Sequence, residues 1–184
     1  MLPLKEATSE KHRLAERMPF NVKMFHGELS KAEYLNYLIQ QLELFKTLES
    51  KSLIHPNLSR IQPLLFDIQE LANQKIELPP VLNATKQYTA YLNTLNEKSI
   101  LPHVYLHYMA IMFGGQMIKS KVPSSGKFYK FNEMSDCIQS IRNVQRDEWA
   151  EEVNRGFDFT IQLFRELELP MEFENTSHSV QATI

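Results

Sequence analysis

The sequence predicts an all-α protein, a single-domain helical bundle, on three observations. Apolar residues recur at three- and four-residue intervals through most of the chain, the spacing that lines one face of a helix. Alternating Val and Ile runs, which mark strands, are almost absent, and there is no internal repeat. Helix punctuation is frequent: Ser30-Lys31-Ala32-Glu33 is a capping box, and Pro19, Pro56 and Pro79-Pro80 fall between periodic segments. A chain of 184 residues has the size of one domain. Residues 1–170 are expected to form it, with 171–184 as a flexible C-terminal tail.

Leu4, Ala7, Leu14, Ala15 and Met18 share one arc at about 100° per residue, which predicts a first helix over Leu4–Arg17, stopped by Pro19. The capping box opens a second helix that runs to Leu53, ahead of Pro56. Gln62–Asn73 carries the next periodic pattern, and Val81–Leu95 is amphipathic through Tyr88, Tyr91 and Leu92. Ile100–Lys119 reads ILPHVYLHYMAIMFGGQMIK, apolar enough for a core helix. A loop follows at Pro123-Ser124-Ser125-Gly126, then two closing helices over Asn132–Val144 and Glu148–Leu167. Residues after Pro170 are polar and aperiodic, the pattern of a tail.

A chain this long buries more than about two-thirds of its unfolded surface and needs no covalent staples. Cys137 is the only cysteine, which excludes an internal disulfide and any multi-cysteine metal site and agrees with a cytoplasmic setting. The net charge of −2 points to no nucleic acid. A signal-peptide pattern is missing, and no uninterrupted apolar stretch reaches about 18 residues, so no membrane association is expected. There is no phosphate-binding glycine loop, no zinc-binding His-Glu-x-x-His and no Gly-x-Ser-x-Gly elbow. The Glu-x-x-His pairs of a diiron bundle are missing too.

Chemistry concentrates in a few positions. The chain has five glycines and places Gly114 and Gly115 side by side within the apolar helix. Glycine there costs roughly 0.5–1 kcal/mol relative to alanine. Either a ligand approaches the backbone and the helix kinks, or another helix packs closely. His12 stands at the edge of the first helix's apolar arc, placed either to ligate a cofactor or to rest as a half-buried surface residue. His103 and His107 lie one turn apart and read as a partly solvated polar stripe. His26 and His55 fall in expected loops and His178 in the tail.

Two stretches together resemble the heme oxygenases. Leu4-Lys5-Glu6-Ala7-Thr8-Ser9-Glu10-Lys11-His12-Arg13-Leu14-Ala15-Glu16 is similar to their opening helix, whose histidine is the proximal iron ligand. Tyr105-Leu106-His107-Tyr108-Met109-Ala110-Ile111-Met112-Phe113-Gly114-Gly115-Gln116 resembles their distal helix, which crosses the other heme face. Weaker similarity runs through Leu48-Glu49, Phe128-Tyr129-Lys130-Phe131 and Ile161–Leu167, spanning nearly the whole bundle.

The resemblance implies a heme oxygenase-like bundle that opens the heme ring with O2 and an external electron donor (a ferredoxin, flavodoxin or reductase), yielding biliverdin, carbon monoxide and iron. Heme is then substrate and cofactor, with His12 as the metal ligand. Glu16 would tune that imidazole, Lys5 and Arg142 would pair with the propionates, and Tyr105 would lie beside them. Ala110, Ile111, Gly114 and Gly115 would lie along the distal face, the glycines letting the backbone reach the porphyrin. Many relatives carry Gly-Asp-Leu-Ser where this chain has Ala110-Ile111-Met112-Phe113. The aspartate that orders their distal water is Ile111 here, a basic residue of the same network is His107, and a tyrosine of the second helix is Phe45. His107 is therefore the expected catalytic substitute, beside the glycines. The competing expectations are a heme carrier without ring-opening activity and a bundle serving unrelated, thiaminase-like or cofactor-free chemistry. A cytoplasmic monomer is the default.

Overall fold

The computed structural model describes residues 2–74 and 76–170. The expected tail over 171–184 lies outside the described residues. Among the described residues nine α-helices follow one another, and no strand occurs.

A single-turn helix, α1 (Leu4–Ala7), runs almost directly into α2 (Ser9–Glu16). The expected single helix over Leu4–Arg17 is thus broken at Thr8. The Thr8 hydroxyl donates to the Leu4 carbonyl at 2.9 Å, a back-bond that bends helices. Leu4, Ala15 and Met18 of the expected arc are buried, but Leu14 is exposed. Pro19 opens a helix rather than only ending one. It takes the first position of α3 (Pro19–His26), where its missing N–H has no partner to lose. Gly27 closes α3 with φ +76°, the left-handed conformation glycine adopts freely.

The capping box forms as expected: Glu33 N donates to Ser30 Oγ at 3.2 Å, and Ser30 N donates to Glu33 Oε2 at 2.8 Å. It opens α4 (Lys31–Lys51), the longest helix. The next two helices, α5 (Ile61–Ala72) and α6 (Asn83–Thr94), both pack on α4. The glycine-pair helix is α7 (Leu101–Ile118), followed by α8 (Met134–Val144). A 3-10 turn at Asp147–Trp149 then leads into α9 (Ala150–Leu167). Asp147 ties the chain's beginning to this turn by accepting from Leu4 N at 2.8 Å.

The buried apolar residues from Leu4 to Leu167 form one cluster. Its spine is α9, which packs against α2, α3, α6 and α7. No helix among the described residues is long and apolar enough to cross a membrane.

Candidate functional site

His12 sits on the outward side of α2 with its side chain 58% exposed. Its ring lies 5.6 Å from that of Phe157 on α9, and Glu16, one turn on, reaches Nε2 at 3.4 Å. A neutral imidazole carries one N–H and one lone pair, and the lone pair is what ligates metal. Lys11 pairs with Asp158 and fastens this helix to α9.

Across the fold, α7 is apolar on every side, yet the C-terminal half of one side is uncovered. Phe113 is 50% and Met117 64% exposed, with Ala110 also in the open and Gly114 partly so. Large apolar groups left in water without a charged neighbour on their helix mark a surface that receives an apolar ligand. The same side is covered farther back, because α9 approaches at Gly156. A Cβ at Gly156 would fall 2.5 Å from Leu106 Cδ2 and 3.1 Å from both His103 Nδ1 and Tyr88 Oη. Successive residues of α9 therefore serve two places: Gly156 admits α7 and Phe157 backs His12.

The two glycines of the pair do different jobs. A Cβ on Gly115 would lie 3.2 Å from Cγ and Cε1 of Tyr129 and closer still to Cδ1. Close packing accounts for this glycine, the partner being an aromatic ring rather than a helix. A Cβ on Gly114 would meet nothing nearer than Phe25 Cζ at 3.9 Å. Gly114 has room for a side chain and carries none, beside the exposed strip.

A family model described as heme oxygenase matches residues 2–166. The chain belongs to the heme oxygenase family. It is 25% identical to a heme oxygenase of Pyropia yezoensis, over 89% of this chain and 84% of that one. Its fold is similar to the solved heme oxygenase-1 of the cyanobacterium Synechocystis in complex with heme, with a TM-score of 0.77, 19% identity and 90% of each chain covered. The Leptospira interrogans heme oxygenase gives a TM-score of 0.75 at 22% identity, covering 89% of this chain and 97% of that one.

Within this heme oxygenase fold, Lys5 is exposed near the start of the His12 segment. Arg142 is exposed in the last turn of α8, near enough that its charge opposes the upward push of burial on the Tyr105 phenol. Tyr105 is half-buried against Trp149. Ile111 is buried and belongs to the interior behind the open strip. Phe45, at the position of the family's tyrosine, is buried edge-on to His107 and Tyr108.

His103 and His107 are not a solvated stripe. They are 0% and 8% exposed, because α9 packs on that side of α7 and Tyr88 reaches it from α6. Tyr88 of α6 joins them, its hydroxyl 2.7 Å from His103 Nδ1 and 2.8 Å from His107 Nε2. His103 Nε2 lies 2.9 Å from Glu152 Oε1 on α9, and the Tyr91 hydroxyl donates to the same oxygen. Arg155 donates to the Tyr91 oxygen at 2.6 Å. Burial, with a smaller push from His103, brings His107 down to about 3. Burial also lowers His103 against the pull of Glu152. Desolvation works to raise Glu152, but bonds from Tyr91 and His103 outweigh it and hold the carboxyl below its ordinary range. Both rings are neutral near pH 7 and Glu152 is ionised. Sequence reasoning missed Tyr88 and Glu152; the i,i+4 spacing of the histidines was visible, but not the helices that meet them.

Proposed function

We propose that this chain is a heme oxygenase: it binds heme between α2 and α7 and opens the ring to biliverdin, carbon monoxide and iron. One observation carries the reading. An exposed imidazole beside a carboxylate stands on α2 and a half-uncovered apolar strip stands at Gly114 on α7, and both helices pack on α9, as the two sides of a flat, apolar, iron-bearing disc require. Bound there, heme supplies the iron at which oxygen is activated and the carbon that is oxidised.

The chain's own residues do the rest. His12 offers a ring lone pair to the iron, and Glu16 lies 3.4 Å from its Nε2. Gly114 lets the α7 backbone approach the ring, while Phe113, Met117 and Ala110 remove its face from water. Lys5 and Arg142 are exposed cations suited to carboxylates at the heme edge. The proposal extends to a cytoplasmic monomer that takes electrons from a ferredoxin, flavodoxin or reductase. The single buried Cys137 agrees with a reducing compartment.

Hemin titration tests the reading. The purified protein gives a Soret band that His12→Ala removes or shifts, with stability changed by less than about 0.5 kcal/mol because the ring is exposed. Without a His12-dependent band, the heme reading fails. A second reading, heme carriage without ring opening, is favoured by buried Ile111 and the apolar strip, which offer no side-chain donor on the distal side. Reductant and oxygen separate the two: Soret loss with biliverdin identifies the enzyme, and a persistent ferrous or oxy spectrum identifies the carrier.

A further inference from the structure

We propose that His107, Tyr88, His103 and Glu152 form a directional proton relay from the surface of α9 to the interior of α7 behind the apolar strip. It rests on the heme-opening reading, since oxygen reduced at the proposed heme site takes up protons that Ile111 cannot supply.

The direction follows from counting hydrogens. Ionised Glu152 only accepts, so His103 must donate to it through Nε2. Neutral His103 then has a bare Nδ1, which must accept the Tyr88 hydroxyl proton. The Tyr88 oxygen is left to accept from His107, whose proton is therefore on Nε2. Burial and the Glu152 charge raise Tyr88 well above its ordinary value, so it remains a phenol. Every donor points toward Glu152, and the chain ends inward at His107 Nδ1, a lone pair with no hydrogen bond among the described residues. His107 lies four and seven residues before Ile111 and Gly114, so the three share one side of α7. Burying three polar groups to link a surface carboxylate to a free lone pair is costly where an apolar core would suffice.

In the protonated form each bond is reversed: Glu152 carries a proton and both rings hold theirs on Nδ1. Discharge breaks the His107 Nδ1–H bond, giving that proton to an acceptor on the side of the apolar strip. Tyr88 passes its proton to His107 Nε2, His103 Nδ1 passes one to Tyr88, and Glu152 passes one to His103 Nε2. One proton leaves, no electron moves, and every ring stays neutral. Recharging takes one proton from solvent at Glu152, and each imidazole gives up its Nε2 proton and takes one on Nδ1 by exchange with water, so each charge delivers one proton and recharging is the slow step. Arg155 and Tyr91 flank the entrance, and Phe45 packs edge-on against His107.

The ligand-free protein provides the first test, by nitrogen NMR of the histidine rings. The wild type is expected to show Nε2–H on both rings. Glu152→Gln, which presents an amide donor to His103, is expected to switch His107 to Nδ1–H although two groups intervene. An unchanged His107 tautomer, or Nδ1–H in the wild type, overturns the relay whatever happens with heme. The second test uses hemin-loaded Tyr88→Phe. Its Soret band should persist, its single-turnover rate should fall about a hundredfold, and the rate difference between water and heavy water should change. A wild-type rate with an unaltered isotope effect overturns the relay. A wild-type protein that binds no hemin sinks the heme reading alone, and the tautomers then decide the relay by themselves.

Discussion

Replacing each glycine of the pair by alanine separates their roles, because the expected effects have opposite signs. Gly114→Ala adds a methyl 3.9 Å from Phe25 Cζ, an ordinary contact, so only the helix-propensity gain remains. That gain is about 0.5–1 kcal/mol, or a Tm rise of about 2–3 °C for a chain of this size. Gly115→Ala gains as much but drives its methyl into the ring of Tyr129. That ring is 1% exposed and packed against Phe128, and its hydroxyl lies 3.9 Å from Met24 Sδ. It has nowhere to go. Overpacking of this kind costs about 3 kcal/mol, leaving a net loss of about 2 kcal/mol and a Tm drop of about 4–8 °C. Thermal unfolding of the two ligand-free variants measures both. Hemin titration should then show the converse: Gly114→Ala binds at least about tenfold more weakly, since its methyl occupies the ligand's side, while Gly115→Ala binds as wild type. A Gly114→Ala protein that is destabilised, or that binds hemin normally, refutes the assignment of the open strip.

Stability of the ligand-free protein should fall with acidification well above the carboxylate range. His107 folds with its pKa depressed to about 3 from 6.5, so the unfolded chain binds the extra proton between those values. Stability is full above about pH 7 and declines as the pH drops. From His107 alone the loss between pH 7.5 and 5 is about 2 kcal/mol, at about 1.36 kcal/mol per unit, and His103 adds in the same direction. Urea unfolding at the two pH values measures it, and equal stabilities would refute neutral burial. Gly156→Ala should lower the urea midpoint by the equivalent of about 1–2 kcal/mol and shift the ring signals of His103, which its Cβ would crowd. Arg60→Met should cost about 3 kcal/mol or more, because the buried guanidinium serves the carbonyls of Leu58, Asn57, Phe128 and Lys130. Unfolding at the wild-type midpoint would refute that count.

Local signals survived the passage from sequence to structure, and non-local ones did not. The Ser30 capping box and the apolar periodicity of α4 to α9 are set within a turn or two, and those helices stand where their residues place them. In sequence Pro19 reads only as the end of one helix, and it also begins the next, because a proline marks a first helical position as readily as a stop. Thr8 shows how one side-chain back-bond bends a helix that periodicity draws straight. The adjacency of Gly114 and Gly115 was plain in sequence, whereas the partner of Gly115 lies fourteen residues on, across a loop. The His103–His107 spacing was plain, but whether it faced water or a tyrosine depended on the packing of α6 and α9. No pattern along α7 contains that.

The contacts at Gly156 and Gly115 set the mechanics of α7. One end is gripped at Leu106, where α9 presses in, and the other is keyed to the ring of Tyr129. The two grips are nine residues, about 13 Å, apart. A rod held at two points cannot roll about its own axis, so the strip from Ala110 to Gly114 can move only by bowing between them. Motion of the strip is thereby restricted to one degree of freedom, a surface that yields in depth but not in rotation.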